Sequence, residues 1–414
     1  MTGTTRTATS LVSRTRILPV GPDPLAVLDA GGFGWFHDGR EIATAGVAAR
    51  IAVDGAEGRL ERAAAAVEEL LGSIEIEDPL VLPGTGPIAV GALPFAEGID
   101  GELIVPAIVV GRTRAGLAWM TETSAADGAA TAPESPFADN GFGAGITDTR
   151  ELRRRWDLAV RDALERIRAG RLEKVVLARE VVVEGSGGFD RRALLSRLRE
   201  ANPSCFTFAA GSFVGSTPEL LVRRRGGRVM SRPMAGSAGF PLSSAGDERL
   251  VAELLSSSKE LAEHGIVVDA VRAALEPVCT EVFARPAPEI VQLTTVAHLA
   301  TTVGGWLRCP APSALALAGR LHPTPAVAGS PRRAALETIA ELESFNRGQY
   351  GGPVGWTDSR GDGDWAVALR CARLDGSMAR LVAGAGIVAG SDPDDEWDET
   401  EAKLQTMLRA LAGA

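Results

Sequence analysis

The chain has 414 residues, 45% of them hydrophobic and 23% charged, a composition that suits a globular protein with a sizeable core in one large domain or two to three ordinary ones. A net charge of -10 argues against nucleic acid as a partner. None of the four cysteines (Cys205, Cys279, Cys309, Cys371) lies in a C-x-x-C pair, and no apolar run reaches about 18 residues, so zinc and redox motifs and a membrane span are not expected, whereas a reducing cytoplasm is.

The first stretch, MTGTTRTATSLVSRTRIL, is rich in Arg, Ser and Thr and lacks acids. A transit peptide has that composition, but residues 1–16 read as the flexible terminus of a bacterial chain, because Ala, Gly and Arg dominate the body. From 17 to 150, short apolar runs alternate with Gly and Pro. GWFHDGREIATAGVAARIAV predicts a hairpin turning at HDGR. LERAAAAVEELLGSI predicts a helix ending at Gly72, and GPIAVGALPF and GELIVPAIVVGRT predict strands. TETSAADGAATAPESPFADNGFGAG has little periodicity and predicts a mobile connection.

The texture changes at 151. DTRELRRRWDLAVRDALERIRAG predicts an amphipathic helix capped by Gly170, LEKVVLAREVVVEG a strand, and RRALLSRLREAN a helix ended by Asn-Pro. CFTFAAGSFVGSTPELLVRRRGGRVMSRPMAG predicts three strands, and DERLVAELLSSSKELAEHGIVVDAVRAALEPV one long helical stretch. DWAVALRCARLDGSMARLVAGAGIV predicts a hairpin leading into a last, acidic helix. Hairpins interrupted by long helices imply an α+β fold of mostly antiparallel sheets covered by helices, not a doubly wound one. No internal repeat is visible.

Five constellations stand out. SDPDDEWDETEAKL carries seven carboxylates in fourteen residues. Asp392, Asp394 and Asp395 suit the first turn of a helix. Glu396, Glu399 and Lys403, spaced by three and four, share one face further along. SSSKELAEHG repeats the i, i+3 pair with Glu260 and Glu263, beside Lys259 and His264. Two such faces are either solvated surfaces or the jaws of an oxygen-only site for a hard cation such as Mg²⁺. An EF-hand is excluded by Trp397 at the position that needs Gly, and GAGIVAG misses the dinucleotide fingerprint by one residue. Lys174, at the start of its strand, is either an exposed strand end or a base lining a cavity. Glu219 in STPELLV is an edge charge or, if shielded from water, a general acid. LHPTPAVAGSP, with three prolines and a glycine in eleven residues, reads as a rigid pocket wall. His298, in an apolar Thr-rich strand, reads on its own as a core histidine.

Taken in order, KVVLAR, STPELL, RPMAGSAG, SSSKELAEH, AHLATTV, LHPTPAVAGSP, RGQYGGPVGW, ALRCARL and AGAGIVAGSDPDDEWDETEAKL resemble the chorismate-using enzymes. These include isochorismate synthase, salicylate synthase, anthranilate synthase component I and aminodeoxychorismate synthase. The resemblance spans roughly 151–414 and is loose before that. It implies two packed, mostly antiparallel sheets surrounded by helices, with 151–414 the chorismate-binding catalytic portion, forming one compact unit with 17–150. Lys174 and the HPTPAV block are closest to isochorismate synthases, salicylate synthase being the alternative and the ammonia-using members a more distant one. The resemblance makes Lys174 the base for water and Glu219 the acid for the departing hydroxyl. It gives Mg²⁺ to Glu263 and Glu399, with Glu260 and Glu396 holding its waters. Tyr350 and Arg370 would grip the enolpyruvyl carboxylate, assisted by Gly384 and Gly386. Lys403 would add charge beside the metal, Gly236 and Ser237 would contact the substrate, His298 would flank the ring, and Ala326 would line it. A cytoplasmic monomer without a glutaminase partner is expected, in quinone or siderophore synthesis.

Overall fold

The computed structural model describes residues 10–28, 31–125, 149–239, 247–293 and 296–413. The architecture is α+β, as expected, with two large sheets and a small third one that the sequence did not suggest. Every described strand pairing is antiparallel except that of Leu11–Leu18 with Glu75–Glu77.

The larger sheet has twelve strands. Lys174–Glu184 lies next to one edge, flanked by the short Gly329–Ser330 and by Met378–Val388; Cys371–Asp375, Phe213–Thr217 and Phe206–Ala210 follow. The sheet then continues through six strands from the first third of the chain, beginning with Phe33–His37. The second sheet has nine strands, with Leu220–Arg225, Gly363–Val367 and Pro353–Asp358 near its centre. Pro353–Asp358 pairs with Ile88–Ala92, so both sheets are completed by residues from both portions of the chain. The third sheet holds Met234–Gly239, Val296–Ala300 and Glu289–Gln292. Trp365, Phe33, Phe208 and Leu103 are among the large side chains fully buried inside this assembly. No described helix is long and apolar enough to cross a membrane.

Several expectations are corrected. The terminus read as flexible is a strand from Leu11 onward. Alternation explains it: Val12, Ser13 and Thr15 are buried, while Arg14 and Arg16 point out to Glu77 and Glu122. Polar buried positions hid the pattern, because Ser13 and Thr15 satisfy their hydroxyls on Thr123 and Thr121 across the pair. The segment read as a mobile connection begins inside the strand Ala118–Ala125, and its remainder lies outside the described residues. The stretch from Cys205 carries five strands rather than three, since Gly211 and Gly226, both at positive φ, turn the chain within two residues. The long helical stretch breaks at Ser257, whose side chain caps Ser258–Leu275 by accepting from the Glu260 N–H. The expected hairpin from Asp364 is split: Gly363–Val367 belongs to the nine-stranded sheet, and only Cys371–Asp375 and Met378–Val388 form a hairpin in the larger one.

Candidate active site

The chain crosses from one large sheet to the other twice at the same seam. Glu219 sits in the crossover between Phe213–Thr217 and Leu220–Arg225, and Arg370 in that between Gly363–Val367 and Cys371–Asp375. Backbone bonds tie the two together: Val367 N–H to Glu219 C=O at 3.1 Å and Ser216 N–H to Arg370 C=O at 3.1 Å. Arg370 has φ of 48°, a conformation that a side chain of this size adopts only under local constraint.

Around this seam lies a cleft of about 540 Å³, counting the space at its mouth. Of the residues to which the resemblance gives a role, all but Lys174, Glu260 and Glu396 line it directly; Val176, Pro218, Met234, Ala235, Val327 and Leu369 complete the wall. The loop 321–331 does form one side, through Ala326 and Val327.

Lys174 is not an exposed strand end. It is 1% exposed, with Nζ 2.7 Å from Glu263 Oε1, so its burial is paired. Its register partner is Val388, and Val176 and Ala178 lie opposite Gly386 and Gly384. Those glycines are required by space. A Cβ on Gly386 would stand 2.5 Å from Glu263 Oε1 and 3.1 Å from Lys174 Cε, and one on Gly384 would stand 3.1 Å from the Tyr350 hydroxyl.

Glu219 is 2% exposed. Burial pushes its carboxyl up to about 8, against the pull of Lys174, the Met234 N–H, Arg370 and Lys403. The Lys174 charge is therefore felt at Glu219 across the site. Burial likewise raises Tyr350 to about 12.

His298 belongs to the small sheet, opposite Ser237. Arg370 Nη2 donates to its Nε2 at 2.6 Å, since a guanidinium has no acceptor to offer. The ring also bonds the Gly236 backbone. Burial, then Arg370 and Lys403, hold its pKa well below the usual histidine range. It is a neutral imidazole that accepts from Arg370 and lines the cleft. Arg370 Nε is buried without a partner, a donor left for a ligand.

Each of the four candidate metal carboxylates has a donor of its own. Glu263 holds Lys174, and Glu399 pairs with Lys403, which also donates to Gly384 C=O at 2.9 Å. Lys259 reaches Glu396 at 3.3 Å, and Glu260 accepts from the Ser237 N–H at 2.9 Å. Glu396 rises to about 7 through burial and then repulsion by Glu399; Glu260 rises through burial and then repulsion by Glu263. Burial would raise Glu399 too, but Lys403 outweighs it and holds that carboxyl below its ordinary value.

Residues 121–412 match the family model described as chorismate binding enzyme. The chain belongs to the chorismate-binding enzymes. Isochorismate synthase DhbC of Bacillus subtilis (strain 168) is 44% identical over 263 residues, 61% of this chain and 66% of that protein. The MenF protein of Mycobacterium tuberculosis (strain ATCC 25618 / H37Rv) is 43% identical over 343 residues, 79% of this chain and 87% of that one. The crystal structure of DhbC from Bacillus anthracis superposes with a TM-score of 0.77 at 34% identity, covering 94% of this chain and 98% of that one.

A cation fits the acid set of this chorismate-binding enzyme. Glu263 and Glu399 both face the cleft, and the four carboxylates lie near enough to repel one another, the electrostatic condition a divalent ion relieves. Among the described residues, no three His, Cys, Asp or Glu side chains converge into a ready-made cage. Sequence reasoning did not find the buried pair Glu343 and Arg347 beneath the cleft, although RGQYGGPVGW begins at Arg347.

Proposed function

We propose that this chain is an isochorismate synthase that adds water at C2 of chorismate and expels the C4 hydroxyl, with Mg²⁺ as its cofactor. The observation that carries the reading is a buried carboxyl raised to about 8, Glu219, lining the cleft, with a buried amine, Lys174, held 2.7 Å from the cleft-lining Glu263. Water is a poor nucleophile and hydroxide a poor leaving group, so the reaction needs a base and an acid on the same ring. Lys174 is the base that takes a proton from the attacking water. Glu219, protonated at neutral pH, gives one to the departing hydroxyl. The ring double bonds shift between the two events, and one water enters for each that leaves.

Arg370, with its unpartnered Nε, and Tyr350 bind the enolpyruvyl carboxylate. Lys403 adds positive charge from the acidic helix. Mg²⁺, held by Glu263 and Glu399 with Glu260 and Glu396 behind them, would neutralise the ring carboxylate. The reading makes the enzyme a cytoplasmic monomer that needs no glutaminase, since its nucleophile is water. Incubation of the pure protein with chorismate and Mg²⁺, followed by separation of products, tests it. Isochorismate is expected; untouched chorismate would refute the proposal. Release of pyruvate would make it a salicylate synthase, and turnover only with ammonium present would move it to the ammonia-using members.

A further inference from the structure

The buried pair Glu343 and Arg347 touches three walls of the cleft without entering it. Arg347 Nη2 donates to Val176 C=O at 2.7 Å and Nη1 to Val327 C=O at 2.8 Å. Its Nε donates to Glu343 Oε2 at 2.8 Å, while Glu343 Oε1 accepts from the Ala178 N–H at 2.8 Å. The Arg347 carbonyl accepts from the Tyr350 N–H at 3.0 Å, and its guanidinium lies 4.5 Å from the Phe95 ring centre and 5.9 Å from that of Tyr350. Both side chains are almost fully buried.

The sheet explains why they are there. Lys174–Glu184 pairs with Gly329–Ser330 through only two residues, Lys174 and Val175, and the last backbone bond on that edge runs from the Val176 N–H to Ala328 C=O. Beyond it, a continuing strand would meet the Val176 carbonyl and the Ala178 amide. Arg347 and Glu343 take those two bonds instead. The chain before Gly329 is thereby free to peel away from the sheet, and Ala326 and Val327 become a cleft wall rather than another pair of strand residues.

We propose that Arg347, held by Glu343, is a positioning residue that fixes the spacing between the strand bearing Lys174 and the opposite wall at Ala326 and Val327. The proposal rests on the isochorismate synthase reading for its assay. The spacing decides how the ring sits between base and acid, whereas Arg370, the charged group that grips the substrate, keeps its own bond to His298. Loss of the spacing therefore acts on kcat more than on KM. A ring displaced by about an ångström loses on the order of 10²-fold in rate.

The test is steady-state kinetics of Arg347→Lys, which keeps the charge opposite Glu343 but reaches at most one of the two carbonyls. We expect a folded protein whose kcat falls about 10²-fold while KM stays within about threefold. Arg347→Ala, supplied with millimolar guanidinium, is expected to regain part of its rate; a residue that only stabilised the fold would show neither the split nor the rescue. Should Arg347→Lys fail to fold, Glu343→Gln replaces it, with the same selective fall in kcat expected. Folded variants with kcat within about twofold of wild type, or with the loss confined to KM, would overturn the proposal. So would failure of both variants to fold. An inactive wild type in the same assay would instead overturn the isochorismate synthase reading.

Discussion

Glu219→Gln is expected to give a more stable protein that does not turn over. Burial penalises the charge and pushes the folded carboxyl up to about 8, from an ordinary value of 4.5. Between those two values the unfolded chain releases this proton and the folded one keeps it. The stability contributed by the group is therefore complete below pH 4.5 and is lost as pH rises towards 8, at about 1.4 kcal/mol per unit. At pH 7 the loss comes to about 3 kcal/mol. Glutamine has the same shape and no proton to lose, so it avoids that cost. Its amide is also no proton donor for a leaving hydroxyl, and removal of a general acid costs on the order of 10²–10⁴-fold in kcat. Denaturant unfolding of metal-free wild type and variant at about pH 5 and about pH 7, with turnover measured in parallel, reads both effects. The stability gap in favour of the variant should widen with pH. A gap that stays constant, or a variant that keeps its rate, would refute the assignment of Glu219 as a buried, protonated acid. The same titration predicts that wild-type kcat falls as pH rises through about 8, where Glu219 loses its proton.

Three other substitutions follow from the same geometry. Gly386→Ala places a methyl 2.5 Å from Glu263 Oε1; kcat should fall on the order of 10²-fold with a stability loss of about 1–3 kcal/mol, and unchanged kinetics would show that Glu263 has room to move. Lys174→Ala should abolish turnover while Mg²⁺-dependent chorismate binding persists in calorimetry; retained activity would reject the base. Glu263→Gln should weaken Mg²⁺ binding about tenfold in a direct titration, and an unchanged affinity would remove Glu263 from the metal site.

Much of the site was legible because its groups are carried by locally periodic elements. Glu260 with Glu263, and Glu396 with Glu399, declare a helix face by spacing alone, whereas Gly384 and Gly386 were pointed to only by the family resemblance. What the spacing could not reveal is who answers each charge. Lys174 and Glu263 lie 89 positions apart, and their ion pair exists only because strand and helix pack together. The seam followed the same rule: nothing local to STPELLV says that the chain passes there into a second sheet. Arg347 was hidden because two of its partners are main-chain carbonyls, which leave no mark in the composition of a sequence, and its i, i+4 spacing from Glu343 is that of any exposed helix pair. The strand Leu11–Leu18 was hidden for the opposite reason, since its buried hydroxyls looked like the signature of an exposed tail.

The central claim is that solvent water, activated by Lys174, becomes the new hydroxyl at C2. Turnover of chorismate in ¹⁸O-enriched water, with the product examined by mass spectrometry, tests it most directly. The account predicts one ¹⁸O atom in each isochorismate formed, located at C2, and none in chorismate incubated with Lys174→Ala. Isochorismate carrying only ¹⁶O would mean that the departing hydroxyl returns to the ring, and would contradict it.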